Sequence, residues 1–207
     1  MTGAALAESA CAPPRRSAEV GIYGATPGGS AAAAAAARMG RSVQHCDHYD
    51  HTRGIVANGL TNADIGKRQA VGGLWYEYTR RILKHYEAID AGNPEQPNVK
   101  LCRNGYWYEA NAAAKVFQDL IDEQQGRIQL LLSHELRSAV VEGNRLTGIR
   151  TGTPDGGELQ LDAAMFVDAT YEGDLAAAAG APFRTGRESR AEFNEPHAGR
   201  IYMVFRS

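Results

Sequence analysis

The chain has 207 residues, 22 Lys and Arg against 24 Asp and Glu, a formal net charge of −2 and 43% hydrophobic residues. That length suits one domain, or one and a fragment, with enough chain to bury a sizeable core, and the apolar content argues against disorder. The near-neutral balance gives no electrostatic footprint for nucleic acid or an anionic membrane surface, and no apolar run approaches the roughly 20 residues of a membrane span.

Residues 1–18, MTGAALAESACAPPRRSA, are small, polar and proline-bearing. They lack the continuous apolar stretch of a secretory signal and read as a disordered tail, with a leader remnant or a mis-chosen start as alternatives. Cys11, Cys46 and Cys102 are odd in number, far apart and form no CxxC pair, which fits a reducing compartment and hence the cytoplasm.

EVGIYG (19–24) predicts a short buried strand that stops at glycine. An alanine run begins seven residues later, at Ala31, and Gly40 suits the position just past a helix end, so the run is a helix of about three turns and not a linker. RSVQHCD (41–47) predicts a second strand ending at an acid. Strand, glycine turn, helix, strand, acid is the order of a dinucleotide-binding unit. The amino end of the helix favours a pyrophosphate, glycines let backbone approach it, and an acid at the end of the second strand accepts from ribose hydroxyls. Asp47 follows Gly24 by 23 positions and Gly29 by 18, close to the expected ~20, although Thr26 stands where the glycine fingerprint has its middle glycine.

Further on, 73–89 has helical spacing, with Leu74, Tyr78, Ile82 and Tyr86 on one face. AGNPEQPNVK (91–100) reads as a loop. Residues 109–126 predict a second amphipathic helix with Val116, Phe117, Leu120 and Ile121 inward and Gly126 as its C-cap, and RIQLLLS (127–133) an apolar strand. A β-meander of three short strands follows at 136–144, 145–152 and 157–162. A separate buried strand, AAMFVDAT (163–170), then runs through YEGD into an alanine-rich helix at 174–180. The fold class is therefore α/β, a Rossmann-like parallel sheet with crossover helices and a meander on one connection.

GATPGG (24–29) followed by an alanine helix, and DATYEGDLAAAAG (168–180), resemble the two hallmark stretches of the FAD-dependent oxidoreductases with the glutathione-reductase-like FAD fold. Threonine at position 26 is similar to that family's own turn. GRESRAEFNEPHAG (186–199), GLTNADIG (59–66) and the pair Gly72-Gly73 are also similar to its segments. The resemblance covers residue 19 to about 205. It implies non-covalently bound FAD, with the adenosine end on Gly24, Thr26, Pro27, Gly28, Gly29 and Asp47, and with Ala169, Thr170 and Gly173 lining the cofactor from the second glycine turn. In the loop after the acid, DHYDHTRGI, only Gly54 keeps the family's place, and Arg53 replaces the preceding glycine. The same resemblance implies 19–180 as the FAD-binding domain and 181–207 as the start of a substrate segment that the chain breaks off, so that the chain alone would bind FAD weakly. It also implies a small-molecule substrate and an electron acceptor that the sequence does not identify.

Other readings compete at single stretches. HCDHYDH (45–51) offers three histidines and two aspartates, but His45 lies in a strand and His48 and His51 in a loop, so the sequence predicts no metal site. A solvated loop near the nucleotide outweighs covalent flavin attachment through His48 or His51. Asp174 is expected to cap the last helix and Glu172 to touch ribose or solvent, ahead of an acid/base pair. NGYWYEAN (104–111) is expected to be core more than substrate wall, and His197 is a weak candidate for proton transfer. An NAD(P)-binding reductase and a truncated chain without independent activity are the rival readings; Asp47 argues against a 2′-phosphate.

Overall fold

The computed structural model describes residues 12–52, 54–183 and 194. Its framework is a six-stranded sheet in the order β3-β2-β1-β6-β5-β4. The strands are β1 (Arg15–Tyr23), β2 (Val43–Cys46), β3 (Ile128–Leu131), β4 (Glu135–Glu142), β5 (Arg145–Gly152) and β6 (Glu158–Asp168). The first four in spatial order are parallel, and β5 and β4 run antiparallel beyond them. Helix α1 (Pro27–Arg38) connects β1 to β2, and α2 (Gly54–Ala57), α3 (Gly73–Ile89), α4 (Pro97–Leu101) and α5 (Ala110–Asp122) precede β3. A short α6 (Asp174–Ala178) follows β6.

The alanine run forms α1 because its small side chains let the helix lie close to its neighbours. Ala33, Ala34 and Ala37 are buried, and Ala33 and Ala37 pack with Ile22 and Val43 of the sheet and Ile121 of α5. Gly40 has φ +81 just past the Met39 cap, as expected of a helix terminator. Helix α3 buries Tyr78, Ile82 and Tyr86 as predicted, and Tyr78 stacks between Trp75 and Phe117. All four predicted inward residues of α5 are buried. An exposed ionic chain, Arg38–Glu77–Arg81–Glu123, ties α1, α3 and the end of α5 together. The guanidinium of Arg38, with that of Arg81, pulls the Glu77 carboxyl down to about 2.

Four expectations are corrected. First, β1 begins at Arg15, not Glu19. Arg15–Ala18, expected in the tail, pair with Gln160–Ala163 of β6, an extension that β2 does not reach. Second, 157–162 and 163–170 are one 11-residue strand, β6, whose first half pairs with β5 while most of its length pairs with β1. This strand is half-exposed beyond Leu161, with Met165 on the surface. Third, α5 ends at Asp122 with Glu123 as its cap, and Gly126 serves the following turn. Fourth, the proline loop contains α4, which begins at Pro97, where the fixed φ and missing N–H of proline suit a first helical turn.

Candidate nucleotide-binding site

The parallel strands β2, β1 and β6 end on one edge of the sheet. The chain leaves β1 toward β2 on one side, and β6 lies on the other, so the crevice beyond β1 is a topological switch point. A cavity of about 530 Å³ opens there, walled by the β1–α1 turn, the loop after β2 and the β6–α6 turn.

The β1–α1 turn is fixed from behind. Thr26 caps α1: its hydroxyl accepts the Gly29 N–H at 3.2 Å and donates to the Ala169 carbonyl at 2.8 Å, so one side chain joins the two glycine turns. Pro27 occupies the first helical position. Gly24 has φ +110, and a Cβ there would stand 2.5 Å from the Ala169 carbonyl group. Gly29 is buried, and a Cβ on it would fall on the Gly24 carbonyl oxygen. Gly28 is different. It is exposed, a Cβ would meet nothing nearer than Thr26 Oγ1 at 3.7 Å, and its N–H has no partner among the described residues.

Asp47 lies at the end of β2 and is 5% exposed. Its carboxylate accepts the backbone N–H of Ala25 and the N–H of Tyr49 at 3.0 Å, and the ring of His48 lies 3.1 Å from it. The acid therefore holds the glycine turn to the loop after β2 and keeps acceptor capacity for one more donor. Backbone bonds from Ser133 and His134 to the carbonyls of Tyr49 and Asp47 fix this loop against the β3–β4 connection.

Beneath the turn, the buried His45 places Nε2 3.1 Å from the Gly24 carbonyl. With Nε2–H as donor, Nδ1 is an acceptor with no partner. Burial pushes this imidazole below its ordinary pKa and holds it neutral, and burial pushes the Cys46 thiol up, which leaves Cys46 inert.

The β6–α6 turn is wired internally. Asp168 accepts from the N–H and hydroxyl of Thr170 and from the N–H of Ala176, and Thr170 Oγ1 accepts from the N–H groups of Gly173 and Asp174, both at 2.9 Å. Asp168 and Thr170 thus do the capping expected of Asp174. Asp174 is instead the first helical residue, and it lines the cavity together with Glu172.

Of the ten residues expected to bind cofactor, Gly24, Thr26, Asp47, Gly54 and Thr170 line the cavity. Pro27 and Gly28 open α1 beside it. Gly29 and Ala169 are packing residues behind the turn, and Gly173 (φ +77) caps α6. His48 and His51 line the cavity as a solvated rim, with the rings of Tyr49 and His48 3.8 Å apart and tilted by 41°. His45 points under the turn, and the described residues contain no group of three or more His, Cys, Asp or Glu arranged to hold a metal. In NGYWYEAN, Tyr106 and Tyr108 are core while Trp107 is half-exposed under Arg103. Arg53, His197 and the 186–199 segment apart from Asn194 lie outside the described residues. Sequence reasoning missed Tyr49, Asn58 and Tyr171 on the cavity wall. Only Tyr171 had a signal, its place inside DATYEGD.

The sequence profile of the FAD dependent oxidoreductase family matches residues 19–207. The chain belongs to that family. Among solved structures it is similar to the FAD-complexed glycerol-3-phosphate dehydrogenase from Bacillus halodurans (TM-score 0.52, 10% identity, covering 79% of this chain and 36% of that one). It is also similar to the myxobacterial chondrochloren halogenase CndH, an FAD-dependent halogenase (TM-score 0.51, 18% identity, 84% and 41%). At these identities the likeness shows a shared Rossmann-like fold, and the chain spans less than half the length of either structure. No curated protein matches it significantly in sequence. FAD is the cofactor of this oxidoreductase family, and the residues around the cavity fit its adenosine diphosphate half: a cavity at the switch point, an open helix amino end at Gly28, and a buried acid with spare acceptor capacity.

Proposed function

We propose that this chain holds the adenosine diphosphate half of FAD in a flavin-dependent oxidoreductase acting on a small-molecule substrate and an electron acceptor. The observation that carries this reading is convergence: GATPGG, Asp47 and DATYEGD are far apart in sequence yet wall one cavity. Asp47 takes a ribose hydroxyl, and the amino end of α1, at Gly28, faces the pyrophosphate. Gly54 and Thr170 complete the walls. Asp47, Glu172 and Asp174 make the described lining acidic, which disfavours the 2′-phosphate of NADP. When bound, FAD supplies the electron chemistry; these residues bind and orient it.

Residues 19–180, extended back to Arg15 by β1, form the nucleotide-binding unit, and 181–207 begin a substrate segment. No helix among the described residues is long and apolar enough to cross a membrane, and the buried free thiols of Cys46 and Cys102 support a cytoplasmic location. Titration with FAD, followed by flavin fluorescence, tests the reading. Asp47→Ala should weaken binding more than tenfold, from the loss of a charge-assisted hydrogen bond of roughly 1.5–3 kcal/mol. Equal affinity of the two proteins would remove Asp47 from the ribose.

A further inference from the structure

Tyr171 belongs to the β6–α6 turn, but its hydroxyl is bonded elsewhere. The oxygen accepts the N–H of Ile55 at 2.8 Å, across 116 positions of sequence. Ile55 is the second residue of α2, where a backbone N–H has no acceptor within its own helix. The rest of the residue is open, at 61% exposure. Its hydroxyl closes against Gly54, which has φ +49; a Cβ at Gly54 would collide with that oxygen and stand 2.8 Å from Pro27 Cδ. Gly54 is thus the seat of the phenol. Tyr171, Gly54 and Ile55 all line the cavity, so the ring spans the gap between its β6–α6 wall and its α2 wall.

Both walls are tied to the rest of the fold. Val56 and Ala57 of α2 are buried in the α3–α5 core, and the β6–α6 turn is held by Asp168, Thr170 and the Thr26 bond to Ala169. The movable piece is the exposed tyrosine side chain, which can swing by a rotamer change once its one hydrogen bond breaks.

We propose that Tyr171 is a clasp on the nucleotide cavity: it ties the β6–α6 turn to α2, and it must release Ile55 before FAD can enter or leave. The inference rests on the assignment of this cavity to FAD and adds the residue that sets the rate of exchange. Tyr171→Phe keeps the ring and removes the bond. FAD release should become about fivefold faster, which corresponds to about 1 kcal/mol, the net worth of one hydrogen bond.

The test pairs two measurements on the whole chain, wild type and Tyr171→Phe. Amide exchange of Ile55 without flavin reads the clasp itself, and flavin fluorescence after rapid dilution of the FAD complex reads release. The proposal expects Ile55 to lose protection in the variant and release to quicken about fivefold, with the melting temperature little changed. Lost protection with an unchanged release rate overturns the clasp and leaves the FAD site intact. Unchanged protection overturns it as well, because the bond then does not hold Ile55. Failure of the wild type to bind FAD, with Ile55 protection still dependent on Tyr171, overturns the cavity assignment, and the clasp on FAD falls with it.

Discussion

Gly28 and Gly29 are neighbours in sequence with opposite reasons for being glycine, and the pair separates packing from binding. A Cβ at Gly29 would fall on the Gly24 carbonyl oxygen and lie 3.0 Å from Ala169 Cβ and 3.1 Å from His45 Nε2. Backbone oxygen cannot step aside, so Gly29→Ala has to push α1 off the sheet. Overpacking of this kind costs typically 1–3 kcal/mol, and the backbone contact puts it at the upper end, about 3 kcal/mol. For a domain of this size that lowers the melting temperature by roughly 6–12 °C. At Gly28 the same methyl has ordinary contact only, and alanine is the better helix former by up to about 1 kcal/mol. Gly28→Ala should therefore melt at or slightly above the wild type, yet bind FAD about tenfold more weakly because the methyl crowds the pyrophosphate. Differential scanning calorimetry without flavin, followed by FAD titration of each variant, gives both numbers. A Gly29→Ala protein that melts with the wild type would refute the packing argument, and a Gly28→Ala protein with undiminished affinity would remove the pyrophosphate from the start of α1.

Other consequences are equally direct. His45 is held neutral by burial, so below pH about 6.5 the unfolded chain binds a proton that the folded chain refuses, and stability falls with a slope of up to about 1.4 kcal/mol per pH unit. His45→Gln should flatten that part of the urea-derived stability profile; superimposable profiles from pH 6.5 to 5 would show that His45 is not its source. Asp168→Ala removes three hydrogen bonds from the second glycine turn and should destabilise the protein by about 2–3 kcal/mol, with new protease sensitivity at 170–174; wild-type resistance would count against the wiring described. Glu77→Gln loosens a partly exposed ionic chain and should cost no more than about 1 kcal/mol at pH 7. Because the Glu77 carboxyl is depressed to about 2, its contribution is present above the ordinary carboxylate range and is lost as pH falls toward 2, so wild type and variant should converge in acid. A difference that persists unchanged at pH 2 would contradict that assignment.

Local signals made much of this legible. The alanine run, Gly40 and the apolar faces of α3 and α5 are statements about neighbours three or four residues apart, and these elements stand where the sequence put them. The spacing from Gly24 to Asp47 put the acid at the cavity. What the sequence hid depends on partners far along the chain. Arg15–Ala18 look like tail until β6 supplies the strand that pairs with them, and Arg15 then meets Asp162 at 2.9 Å. Asp162 resembles a strand end for the same reason, yet hydrogen bonds to β1 and β5 carry β6 straight through it. A Cβ at Gly29 would meet the Gly24 carbonyl, which only the folded turn brings there. The capping of α6 by Asp168 and Thr170, and the reach of Tyr171 to Ile55, are tertiary facts of the same kind.

The central claim is that this fold grips the adenosine diphosphate end of FAD, and competition binding tests it most directly. The chain is titrated with FAD in the presence of excess ADP or excess FMN. The account predicts that ADP displaces FAD and that FMN, which carries the flavin ring without the adenosine, does not. Displacement by FMN and indifference to ADP would contradict it.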